Sequence, residues 1–187
     1  MKKLSVLAVV LMLGLVSGAA FAQPVGDASY YFVTYFSNNV PAAPNAIVRV
    51  INDGDTGGNI WAAYYVFDDS QELTECCACI ITPDGINSED VMTNLPANPL
   101  TGKVPTRGVI KVIGSATPNA AAVVPVAGLH GFATHIQVAG AGYAITEAPL
   151  LDANLVPAEQ ALLQNLCMYS ILLSGSPCTC TPEDHDF

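Results

Sequence analysis

Basic side chains are scarce in this sequence. Lys and Arg number 6 against 16 Asp and Glu, a formal net charge of −10, and a surface of that sign repels both nucleic acid and anionic lipid headgroups. No nucleic-acid partner is expected. The motifs of several common chemistries are missing as well: there is no Gly-x-Ser-x-Gly elbow, no His-Glu-x-x-His pair and no phosphate-binding glycine loop, so the hydrolytic and nucleotide chemistries built on them lack their residues. Long apolar runs are confined to the N-terminus. The longest later one, Ala120 to Leu129, is short for a bilayer span and is interrupted by Pro125, which predicts no membrane-spanning helix. Phe187 is a residue type that ends many outer-membrane barrels, but Glu183-Asp184-His185-Asp186 before it lacks the alternation of a closing strand.

What is present begins with an export signal. Met1-Lys2-Lys3 is a short positive region, Leu4 to Val16 is almost without polarity, and Ala20-Phe21-Ala22 is a small-x-small cleavage site, so residues 1–22 read as a signal peptide removed before Gln23. No cysteine stands where a lipoprotein is acylated. The mature chain, residues 23–187, is expected to be a single β-rich domain that is secreted or periplasmic. Lys2 and Lys3 leave with the signal, so the mature balance is 4 basic against 16 acidic side chains.

Four stretches rich in aromatic and β-branched residues and bounded by turn formers predict strands: Tyr30 to Phe36, Ala46 to Ile51, Ile60 to Phe67 and Gly108 to Ile113. Cys77 to Thr82 and Phe132 to Val138 are weaker strand candidates. Turn chemistry at Pro41 to Asn45, Asn52 to Asn59, Pro83-Asp84-Gly85 and Pro96 to Gly102 separates them. One helix is predicted near the end, with Pro157 at its first position, Leu162, Leu166 and Tyr169 as the packed stripe, and Gly175 as C-cap. The fold class is therefore mainly β: an antiparallel β-sandwich with one C-terminal α-helix, stabilised by disulfides.

The six cysteines form two clusters, Cys76, Cys77 and Cys79, then Cys167, Cys178 and Cys180. An even count in an exported chain points to bridges. Two Cys-x-Cys elements brought together offer four thiolates, so metal binding or redox chemistry stands as the alternative. If the first cluster is extended, Cys77 and Cys79 share one face and Cys76 takes the other. An antiparallel tail then pairs Cys77 with Cys180 and Cys79 with Cys178, leaving Cys76 for Cys167 on the helix. Cys167 to Cys178 is the main rival pairing.

Other candidates have ordinary readings beside functional ones. Asp53 to Asn59 begins like a calcium loop, but Trp61 and Tyr64 occupy the positions that need a water-mediated ligand and a bidentate Glu, so a wide hairpin turn between the flanking strands is expected. Asp68, Asp69, Glu72 and Glu75 could supply paired carboxylates or bind a cation; solvated loop charge is the ordinary reading. His130 and His135 stand five apart, on opposite faces of a strand. The rings of Tyr30 to Phe36 put core on one face and a rim or partner contact, such as a carbohydrate platform, on the other.

The stretch Ala62 to Phe67 leading into Cys76-Cys77-Ala78-Cys79 and Thr82-Pro83-Asp84-Gly85 resembles a group of uncharacterised exported proteins of acidobacteria and similar environmental bacteria. Leu162 to Cys167 and the segment ending in Cys178 and Cys180 are similar to that group's closing helix and cysteine tail. Ile80 and Asp84-Gly85 depart from the group's Pro and Asn-Gly at those places. The resemblance implies export and a cysteine-linked tail, and no activity. Function is thus expected to be that of a binding or envelope-structural module with a protein or carbohydrate partner, with no catalytic residue and no cofactor assigned.

Overall fold

The computed structural model describes residues 30–38, 40–95, 102, 104–174, 178 and 180. The signal segment, the cleavage site and the Gly175 cap lie outside them. The described strands are β1 (Tyr31–Ser37), β2 (Ile47–Asn52), β3 (Ile60–Asp68), β4 (Leu73–Ile81), β5 (Ile86–Asp90), β6 (Arg107–Ser115), β7 (Leu129–Ala139), β8 (Gly142–Pro149) and β9 (Leu151–Asp152). A 3₁₀ turn at Ala120–Ala122 and a helix α1 at Pro157–Ser174 complete them.

The strands form two antiparallel sheets, one ordered β4-β3-β6-β1-β9 and the other β5-β2-β7-β8. The inward-facing side chains of both sheets make one core: Phe32, Phe36, Val48, Val50, Tyr64, Val66, Ile110 and Val112 are all nearly or wholly buried. A second core lies on the outer face of the five-stranded sheet. There Tyr31, Ala63, Tyr65, Cys76 and Ile113 meet Ala120, Val123, Leu163 and Cys167. The five-stranded sheet is thus covered on both faces, and that is why Tyr31 and Phe32 are both buried at 3% exposure. The expected division of this strand into one core face and one rim face is corrected accordingly: Tyr31, Phe32 and Phe36 are core, while Tyr35 remains exposed and stacks on His135 at 4.2 Å.

Three further expectations change. Asp53 to Asn59 is a crossover between sheets and not a hairpin, because β2 pairs with β5 and β7 while β3 pairs with β4 and β6. Asn52 pins it, its amide donating to the carbonyls of Gly58 and Ile81 at 3.0 Å. The buried stripe of α1 is Leu163, Cys167 and Ser170, one position on from the predicted one, and Leu162 and Tyr169 are exposed. This helix is apolar around most of its circumference, so periodicity alone does not choose its face. Finally, β5 and β8 were not anticipated; Ile86-Asn87-Ser88-Glu89-Asp90 has one apolar residue in five, and its buried positions are polar.

Helix α1 is anchored at its first turn as well as at Cys167. Glu159 accepts from the Tyr31 hydroxyl at 3.3 Å and pairs with Lys111, whose ammonium lies 5.1 Å from the centre of the Phe67 ring. Tyr31 holds its phenolic proton more tightly than usual, through burial and the Glu159 charge. No helix among the described residues is long and apolar enough to cross a membrane.

Candidate functional site

Strand β4 forms the edge of the five-stranded sheet, and its pleat sorts the first cysteine cluster. Cys77 and Cys79 point into the inter-sheet core with Tyr64 and Ala62 as cross-strand neighbours, while Cys76 points to the outer core opposite Tyr65. Each is bridged. Cys76 joins Cys167 on α1 with Cα atoms 5.6 Å apart, and Cys77 joins Cys178 and Cys79 joins Cys180, each at 5.5 Å.

The tail pairing corrects the antiparallel expectation. With Cys167 fixed opposite Cys76, the chain leaving α1 at Ser174 reaches the Cys77 position first and Cys79 two residues later. Cys178 and Cys180 therefore follow β4 in the same direction, and Cys167 to Cys178 is not formed. The two tail bridges are adjacent. The sulfurs of Cys77 and Cys79 are 4.0 Å apart, and the Cys180 sulfur lies 3.7 Å from the Ala78 carbonyl oxygen.

An open pocket of about 140 Å³ leads to this clasp, lined by Pro118, Asn119, Ala120, Ile171 and Ala78 together with the cysteines 76, 77, 178 and 180. Among the described residues one group of metal-ligating side chains converges: Cys77, Cys79, Cys178 and Cys180, all four sulfurs within 4.8 Å of one another. The two members on β4 are buried and the two on the tail are half-buried.

Behind the clasp lies a polar chain that sequence reasoning missed. The Tyr64 hydroxyl donates to Asn87 Oδ1 at 2.7 Å, and Asn87 Nδ2 donates to Glu89 Oε1 at 2.8 Å, with all three residues between the sheets. Burial and the Glu89 charge push the Tyr64 phenol well above its ordinary range. Spacing gives only the faces: in a strand Asn87 and Glu89 share one and Ile86, Ser88 and Asp90 the other, and alternation alone does not turn the polar pair inward.

The acidic run divides by role. Asp68 closes the β3–β4 turn, its Oδ1 accepting from the Ser70 and Glu72 amides at 2.9 and 3.0 Å. Asp69 pairs with Arg107 at 2.7 Å. Glu75 is buried on the inward face of β4; burial raises its pKa to about 7, against a hydrogen bond from the Cys76 N–H that lowers it. His130 and His135 lie on β7, and His185 is outside the described residues. His130 is exposed and sits 3.2 Å from Asp53, and the stacked His135 is nearly buried, which lowers its pKa.

No family model and no curated protein matches the chain. Among solved structures it is similar to one described as "Crystal Structure of Thermotoga maritima 1070", at 13% identity over 69% of this chain and 97% of that one, with a TM-score of 0.41.

Proposed function

We propose that this protein is an exported, disulfide-stabilised module that acts by binding a protein or carbohydrate partner or by building the cell envelope or surface, without catalysis or a cofactor. The observation that carries this reading is the convergence of three bridges on one edge strand, which fasten the closing helix and tail to β4 across 91 and 101 residues. Such covalent fastening persists in oxidising compartments. It removes thiol nucleophiles from the chemistry available. Several groups that could do acid–base work serve structure here: Tyr64, Asn87 and Glu89 are hydrogen-bonded within the core, and Asp68 closes a turn. The strongly acidic mature chain suits a soluble extracytoplasmic setting more than an anionic surface.

The test is recovery of the protein from periplasm and medium, with N-terminal analysis and thiol counting after denaturation without reductant. A start at Gln23 and no free thiol are expected. Retention in the cytoplasm with the six cysteines reduced overturns the reading.

A further inference from the structure

Two of the three bridges differ from the third in a way that matters chemically. Cys76 and Cys167 are each 0% exposed and lie in the outer core beneath α1. Cys178 and Cys180 are half-buried, line the open pocket, and hold sulfurs that cluster with those of Cys77 and Cys79 within 4.8 Å. Cys76 also borders this pocket, but it and Cys167 are fully buried whereas Cys178 and Cys180 are half-buried. Thiol–disulfide exchange requires access to a sulfur, so the tail bridges meet an attacking thiolate before the helix bridge.

We propose that the tail clasp is a latent metal site: opening Cys77–Cys178 and Cys79–Cys180 yields a four-thiolate cage for a thiophilic cation of the zinc class. In tetrahedral zinc sites the Zn–S distance is about 2.3 Å, which puts the sulfurs about 3.8 Å from one another. The Cys77 and Cys79 sulfurs already stand at 4.0 Å on one face of a strand, held there by the pleat. The two tail sulfurs need move outward by only about the difference between a covalent bond and that spacing. Each bridge takes two electrons and two protons from a soluble dithiol, whose own thiols become a disulfide. The four thiols then bind one divalent cation and release four protons to water. Cys76–Cys167 stays closed throughout, keeping α1 on the sheet and the tail near its partners. This inference adds an activity to the proposed module and does not depend on what that module binds.

The experiment uses the oxidised full mature chain, reduced anaerobically by graded dithiothreitol, freed of reductant and titrated with Co²⁺ and then Zn²⁺. A form with four free thiols that retains the β-rich far-UV spectrum is expected to bind one Co²⁺ with tetrathiolate absorption, bleached by Zn²⁺. The Cys178→Ser/Cys180→Ser variant is expected to lose that absorption. Absence of the spectrum in the four-thiol form, its persistence in the double variant, or loss of the β-rich spectrum when the two tail bridges open would each overturn the proposal. As-isolated protein with no free thiol and no metal leaves the proposed function standing and is the starting state this switch requires.

Discussion

The sandwich has two open sides, and they are finished by different means. On one side β4 and β5 are the edge strands, and the chain crosses between them, packs a polar pair behind them and fastens a tail over β4 with two bridges. On the other side β8 and the two-residue β9 are the edges. Strand β8 is exposed almost along its length, with Tyr143 at 41% and Ile145 at 47%, and Glu147 on it forms an ion pair with Arg49. An unprotected edge invites pairing with another chain. The contrast shows where the stability is concentrated: covalent closure and burial on the β4 side, backbone ladder and a surface charge on the β8 side.

Reduction of all three bridges should break this contrast most strongly. Closing one loop of about 100 residues is worth about 4.7 kcal/mol in the chain-entropy account, and the other two bridges, which then close only short additional loops, contribute less. Complete reduction should therefore lower the melting temperature by tens of degrees or unfold the chain. Calorimetry with verified thiol counts checks this. An unchanged midpoint would leave the β4 side no more dependent on its bridges than the β8 side.

Glu75 sharpens the comparison through pH. Its proton is held to about pH 7 in the folded state against a reference value of 4.5, so its favourable contribution is complete below the unfolded value and lost as pH rises through about 7. The loss should approach about 3 kcal/mol at alkaline pH. In Glu75→Gln the side chain stays neutral and can still accept from the Cys76 amide, so urea denaturation from pH 4 to 9 should show a flatter profile and greater stability than the native chain at high pH. Equal slopes for both proteins would mean that the carboxylate is hydrated when charged.

Within the same wall, Tyr64→Phe removes the donor to Asn87 Oδ1 and with it a hydrogen bond made inside the core. A cost of about 1–3 kcal/mol is expected by equilibrium denaturation. On the β8 side, Arg49→Ala removes a half-exposed pair and should change stability by less than about 1 kcal/mol, less still at high salt. A larger effect there would show the open edge to be more dependent on charge than its exposure implies.

Much of this architecture was legible because the residues that build it have few alternatives. Tyr31 to Phe36 and Ile60 to Phe67 are too rich in ring and β-branched side chains to be other than strands, and Pro157 marks a helix start. Cys76 and its neighbour Cys77 had to part to opposite faces once the segment was extended. What stayed hidden depends on contacts between distant segments. The direction of the tail follows from where α1 ends in space, the buried stripe of α1 from the sulfur at position 76, and the inward turn of Asn87 and Glu89 from a hydroxyl on β3. The crossover at Asp53 to Asn59 carries the same turn residues as a hairpin, and only pairing partners distinguish them.

The sorting of sulfurs by the pleat of β4 also constrains how the molecule is made. All three bridges join residues 76–79 to residues 167–180, so none can form until the ribosome has delivered the closing segment, and the first cluster must travel as thiols or as a mispaired intermediate. Once β4 is on the sheet, adjacent cysteines are separated by the thickness of a β-layer, and an isomerase meets two unlike reaction chambers. A slip of one residue in the β3–β4 register would exchange their contents, making correct strand pairing a proofreading step for oxidation.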